Sequence, residues 1–101
     1  MATLHVAWIT AQAAAGRDPG AIVNEIVSAE EVTTSLSSAI SGIRPDKATH
    51  AFVRCLDSAH YVTNKGHIED ASASNSISVA DGGFLAIQVP KNGRIAAITH
   101  T

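Results

Sequence analysis

The chain predicts an all-β fold, a small β-sandwich or open barrel of jelly-roll-like form with an N-terminal strand or arm. Three observations carry that expectation: short alternating apolar segments, turn signals roughly every eight to twelve residues, and no convincing long helix. With 101 residues there is room for one compact domain. The expected organisation is an arm of strand and loop over residues 1–20 and a β-sandwich over residues 21–101.

Residues 3–10 read as a strand with two apolar faces, Leu4, Val6 and Trp8 on one and His5, Ala7 and Ile9 on the other. Such a strand needs cover on both sides. Residues 11–15 have the length of one helical turn, and Gly16-Arg17-Asp18-Pro19-Gly20 is a turn or loop. Residues 21–27 carry two signals. Asp18 and Pro19 are placed to start a helix, and Ile22/Ile26 and Val23/Val27 pair at i, i+4. Their β-branched content and Gly20 favour extended structure instead. Residues 31–37 continue as a polar, Thr/Ser-rich extended segment suited to a sheet edge.

Residues 49–56 form the best central strand, with Ala51, Val53 and Cys55 on one face and Phe52, Arg54 and Leu56 on the other. Strand resumes at Tyr61-Val62-Thr63, Asn64-Lys65-Gly66 turns, and residues 67–76 form a loop rich in Ser, Ala and Asn. After a short strand over 76–79, Asp81-Gly82-Gly83 leads into the last quarter. There Phe84-Leu85-Ala86-Ile87-Gln88-Val89 and Arg94-Ile95-Ala96-Ala97-Ile98-Thr99 flank Pro90-Lys91-Asn92-Gly93, which predicts a β-hairpin. Leu85, Ile87 and Val89 are expected to face the core.

Composition narrows the function classes. Apolar residues make up 46% of the chain, only 4% are aromatic, and charged residues reach only 16%. The charged share is well under the roughly 25% of an average domain, as expected of a surface partly covered by other subunits. Formal net charge is −2 and the seven basic residues are scattered, which argues against nucleic-acid binding. The single Cys55 forms no internal disulfide, as suits cytoplasmic synthesis. No stretch has the length and apolarity to span a bilayer, and no secretion signal is evident.

No catalytic, cofactor-binding or metal site is expected. The five histidines prompt a metal hypothesis, with His60, His67, Glu69 and Asp70 as the closest grouping, but His-x-His is absent. Solvated polar side chains are the ordinary alternative. Cys55 with His50 or His60 could be nucleophile and base, yet Cys55 falls on the apolar face of its strand, where a buried thiol is the simpler reading. Trp8 either fills the core or anchors a subunit contact, where Trp is a frequent hot spot.

Three blocks carry a resemblance. They are Met1-Ala2-Thr3-Leu4, then Lys47-Ala48-Thr49-His50-Ala51-Phe52-Val53-Arg54-Cys55-Leu56-Asp57-Ser58-Ala59-His60-Tyr61-Val62, and the run from Gly83-Phe84-Leu85 through Pro90-Lys91-Asn92-Gly93 to Ile98. Together they resemble small bacteriophage and prophage virion proteins of the head decoration, or cement, type. His67-Ile68-Glu69-Asp70 stands where that family carries Asn-Pro-Thr-Ala-Thr.

The resemblance implies a non-enzymatic protein without cofactors, found on the capsid surface after synthesis in the host cytoplasm. It would bind the major capsid protein and bridge neighbouring coat subunits, and would bind neither nucleic acid nor membrane. Self-association, expected as a homotrimer, would use Leu4, Val6 and Trp8 and leave the loop over 67–76 exposed. The alternatives are another minor virion part (tail, neck or fibre base) and, more weakly, a cupin-like metal-binding β-sandwich.

Overall fold

The structure, a computed structural model, describes residues 2–13 and 21–100, with side chains described over 2–10 and 25–100. Eight strands form: β1 (Ala2–Ala13), β2 (Ala21–Thr34), β3 (Ala39–Ile40), β4 (His50–Cys55), β5 (His60–Thr63), β6 (Ile77–Val79), β7 (Phe84–Gln88) and β8 (Ala96–Thr99). They assemble into two four-stranded sheets, ordered β2-β1-β4-β7 and β3-β8-β5-β6, and every pairing is antiparallel. No helix occurs among the described residues. The fold is all-β, a two-sheet sandwich.

Alternation along the strands explains the sandwich. Leu4, Val6 and Trp8 of β1 and Ala51, Val53 and Cys55 of β4 point inward from the first sheet. Val62, Val79 and Ala97 meet them from the second. Full burial of aliphatic side chains such as Leu4, Val6, Val53 and Val62 contributes about 1.5–3 kcal/mol each. Small residues fill the rest of the layer, and Trp8, 1% exposed, supplies its largest side chain.

The segment over 21–27 is extended, as its β-branched residues favour, and belongs to β2. Residues 11–13 are strand as well, so no helical turn begins at Ala11; antiparallel pairing with residues 21–23 satisfies their backbone. The remainder of that expected turn and the expected loop over 16–20 lie outside the described residues. β1 pairs with β4 only from Leu4 to Ile9, while its pairing with β2 runs on to Ala13↔Ala21. The β1–β2 hairpin thus extends past the sheet as a two-stranded ribbon. Register shifts at Trp8/Ile9 and Thr10/Ala11 leave Val27 and Asn24 of β2 as bulge residues. The first bulge lets Val27 pack against the core.

The last quarter is not a hairpin. β7 pairs with β4 in the first sheet, and β8 pairs with β3 and β5 in the second. Pro90-Lys91-Asn92-Gly93 is therefore an arch carrying the chain between the layers. The turn itself forms as expected: Gly93 N donates to Pro90 O at 2.8 Å and Asn92 adopts φ 63°. The flanking residues are already bonded elsewhere, Val89 N to Thr49 O at 3.1 Å and Ile95 N to Ser41 Oγ at 2.9 Å. Leu85, Ile87 and Val89 do face the core.

A Cβ at Gly93 would stand 2.8 Å from both Pro90 O and Val89 Cγ1, closer than packed atoms tolerate. Gly93→Ala is expected to lose about 1–3 kcal/mol of unfolding free energy, read from the midpoint of a urea titration. A loss within about 0.5 kcal/mol, typical of plain surface positions, would contradict the close approach at the arch.

Candidate interaction face

The outer faces of the two sheets differ in a way that only the folded chain shows. The loop over residues 64–76 leaves β5 and returns at β6, the neighbouring strand. Between these points Gly66 N bonds Arg94 O at 3.0 Å, and a Cβ on Gly66 would meet the backbone at Ile95 and Ala96 at 2.8 Å. Ala71 N bonds Ser38 Oγ at 2.9 Å, next to β3 on the far edge of the sheet. The loop therefore crosses the outer face of the second sheet. Beneath it Thr63 and Ala96 are buried although they point away from the core.

The loop over 67–76 is exposed over much of its length, as expected, but it is anchored to the sheet. His67, Ile68, Glu69 and Asp70 are exposed, but the segment is tied down and Ala71 is buried. Asn75 Nδ2 donates to Asp70 O at 2.8 Å and its Oδ1 accepts from Ser72 N at 2.9 Å. A small side chain and two side-chain-to-backbone bonds anchor what a large apolar residue would anchor elsewhere.

On the outer face of the first sheet Ala7 and Ile9 of β1 are buried, while Ala29 of β2 and Phe84 and Ala86 of β7 are exposed. Cross-strand pairing aligns Ala29, Ala7, Phe52 and Ala86 in one row across β2, β1, β4 and β7. The next row is Glu31, His5, Arg54 and Phe84. Phe84 is 68% exposed and stacks on Phe52, with ring centroids 5.3 Å apart. The exposed Phe84, with Phe52 stacked on it and Ala86 beside them, makes a surface at the β4–β7 edge suited to protein contact.

Leu4, Val6 and Trp8, the residues singled out for a subunit interface, lie on the opposite face of β1 and are buried in the chain's own core. The Trp8 indole N–H donates to Glu30 Oε2 at 2.9 Å, and Glu30 Oε1 accepts from Gly42 N at 2.8 Å. One carboxylate thus satisfies the core's only indole and fixes the loop that follows β3.

The residues considered for chemistry are dispersed or engaged. Among the described residues no three His, Cys, Asp or Glu side chains stand close enough to hold a metal ion. His60 is buried, its Nδ1 2.9 Å from Ser58 O and its Nε2 2.6 Å from Thr34 Oγ1. A carbonyl only accepts, so in the neutral ring Nδ1 donates to Ser58 and Nε2 accepts the Thr34 hydroxyl. Since Thr34 ends β2 and His60 opens β5, this bond joins the two sheets. His50 lies beside Thr49 Oγ1 at 2.8 Å, on the outer face of β4. His100 packs against the Tyr61 ring at 4.4 Å. A shallow, open depression lined by Asn64, Lys65, Gln88 and Pro90 holds one ionisable side chain, and Lys65 pairs with Glu69.

Cys55 is fully buried with Sγ 3.7 Å from Val79 O. Burial pushes its thiol pKa up; a backbone hydrogen bond from His60 opposes this, and the charges of Asp81 and Asp57 add to it. The thiolate is thus disfavoured in the fold, contrary to what a nucleophile needs.

No family model, no curated protein and no solved structure matches this chain.

The Cys55 shift has a consequence for stability. Its folded pKa lies above the unfolded value, so its contribution is fully present below the unfolded thiol's pKa, about 8.5, and falls as pH rises toward the folded value. Urea melts of wild type and Cys55→Ala are expected to show the wild-type advantage constant below about pH 8 and shrinking above it. An advantage that does not change into the alkaline range would contradict a buried, uncharged thiol.

Proposed function

We propose that this chain is a structural protein that acts by binding other protein subunits, and specifically that it decorates the outside of a bacteriophage capsid and bridges neighbouring coat subunits. The observation that carries the contact role is the exposed Phe84 at the β7 edge of the first sheet, stacked on Phe52 beside Ala86. The capsid assignment comes from the three sequence blocks that resemble head decoration proteins. Those blocks correspond largely to β4, β5, the arch and the strands on either side of it. A rigid sandwich fits such a role, because modest contacts repeated on a lattice gain strength through avidity.

Head particles assembled from the coat protein encoded in the same genome provide the test. The purified chain is expected to bind them from outside, at a copy number tied to the shell lattice, visible by cryo-microscopy and by quantitative gel analysis. A few copies at one vertex or on the tail would assign it to another virion part. Absence from the particles would remove the capsid assignment altogether.

A further inference from the structure

We propose that β7, an open edge of the first sheet, pairs antiparallel with β7 of a second copy of this chain. The two four-stranded sheets then join into one continuous sheet about a two-fold axis at Leu85. This rests on reading the β7 edge as a protein-contact surface, and it is independent of the capsid assignment. Hydrogen bonding, side-chain size and charge along the edge select the occupant.

In an antiparallel pair alternate residues bond the neighbouring strand, and the others turn their N–H and C=O to the opposite side. Val89 N donates to Thr49 O at 3.1 Å and Cys55 N to Gly83 O at 3.0 Å, one at each end of the β4–β7 ladder. The register between them is unbroken, so Leu85 and Ile87 bond β4 while Phe84, Ala86 and Gln88 direct their backbone groups away from it. Gln88 O is met on that side by Asn64 Nδ2 at 2.7 Å. Phe84 and Ala86 find no backbone partner there among the described residues, since β7 ends the strand order.

The other edges are poorly suited to strand addition. β3 has two residues and β6 three. β2 is long, but it bears Glu25, Glu30 and Glu31 and its pairing is interrupted by two register shifts. Charges and bulges are what keep an edge from pairing. β7 has five residues and none is charged.

The register follows from what is free. With Phe84 opposite the partner's Ala86, and Ala86 opposite the partner's Phe84, every free N–H and C=O of these residues is used in both copies, and Gln88 O stays with Asn64. A large side chain then stands opposite a small one at each position. The outer-face row that holds Arg54 and Phe84 continues into the partner's Ala86 and the partner's Phe52. The two Phe84 rings become diagonal neighbours, within reach of each other. The stacked Phe52–Phe84 pair of each copy thus extends into that of the other, and the exposed Phe84 is covered. On the inner side the half-buried Leu85 meets the partner's Leu85.

Charge sets the direction. Asp81 lies just before β7 and Lys91 just after it, both exposed and neither in an ion pair among the described residues, where the only pair joins Lys65 to Glu69. Antiparallel pairing brings each Asp81 to the end of the partner strand that carries Lys91, whereas parallel pairing would set like charge beside like. That is the self-complementarity a two-fold contact requires. A five-residue edge is far smaller than the roughly 20–30 residues per side of a standard interface. The association is therefore weak and reversible.

Sedimentation analysis of the purified full chain up to roughly 0.5 mM, a range that detects weak complexes, tests this directly. Wild type is expected to show a monomer–dimer equilibrium. Ala86→Pro removes an N–H that points away from β4, a change an edge strand tolerates, and is expected to weaken the dimer at least about tenfold. Phe84→Ser is expected to weaken it about tenfold, as loss of an aromatic anchor does. Hydrogen exchange followed by NMR reads the ladder itself. The amides of Phe84 and Ala86 are expected to gain protection at high concentration and lose it on dilution, while those of Leu85 and Ile87 stay protected throughout.

Circular dichroism on each variant confirms that the sandwich is intact. A monomer throughout the range, a trimer, a dimer indifferent to both variants, or a dimer whose Phe84 and Ala86 amides stay unprotected would each overturn the strand pairing. A wild type that stays monomeric, yet binds head particles and loses that binding in Phe84→Ser, would overturn it while leaving the contact-surface reading in place. Phe84→Ser that alters neither self-association nor particle binding would remove both.

Discussion

The inner face of β1 is the constraint on which the rest of this structure depends. Leu4, Val6 and Trp8 stand in the middle of the first sheet, between β2 and β4, and close the core against the second sheet. The other core side chains are mostly Ala, Val and Cys, so the indole of Trp8 provides bulk that nothing else in the layer supplies. Its N–H must then find an acceptor inside the fold, and Glu30 provides one. The same carboxylate takes Gly42 N, so packing in the core also positions the segment joining β3 to β4. From there Ser41 and Arg44 bond to residues 93–95 and tie the arch to the second sheet.

A sandwich has two outer faces, and this chain treats them differently. The second sheet is roofed by the loop over 64–76, whose small residues lie close enough to bury Thr63 and Ala96. On the first sheet Phe84 and Ala86 remain exposed. Because Leu4, Val6 and Trp8 point inward and Ala7 and Ile9 are buried on the other face, any association through the first sheet uses the exposed Phe84 and Ala86 instead. The two-sided apolarity of β1 is thus satisfied within the chain, with Leu4, Val6 and Trp8 buried on one face and Ala7 and Ile9 on the other.

Much of the architecture was legible because strand alternation is a local signal. The inward set Ala51, Val53 and Cys55 and the extended state of residues 21–27 follow from side-chain period and β-branching, and both are seen. Pairing is not local, and there the sequence misled. Pro90 to Gly93 encodes a chain reversal, but turn chemistry does not say whether the flanking strands pair with each other or with Thr49 and Ser41. β3 has two residues and no pattern to detect. The anchoring of the long loop was equally hidden, because Ala71, Ser38 and Asn75 carry no signal until the fold brings them together. The outer face of the first sheet was half visible: Phe84 and Ala86 read as a second apolar face, while their alignment with Ala7 and Ala29 depends on register.

Trp8 is the chain's only tryptophan, and so its fluorescence reports on one site. Iodide quenching of that emission, followed on dilution far below the concentration of any association, separates a core residue from an interface residue. A protected, blue-shifted indole at every concentration, exposed only on unfolding, is the result this account predicts. An indole that becomes accessible to iodide on dilution while the β spectrum persists would contradict it, by placing Trp8 between subunits instead of between sheets.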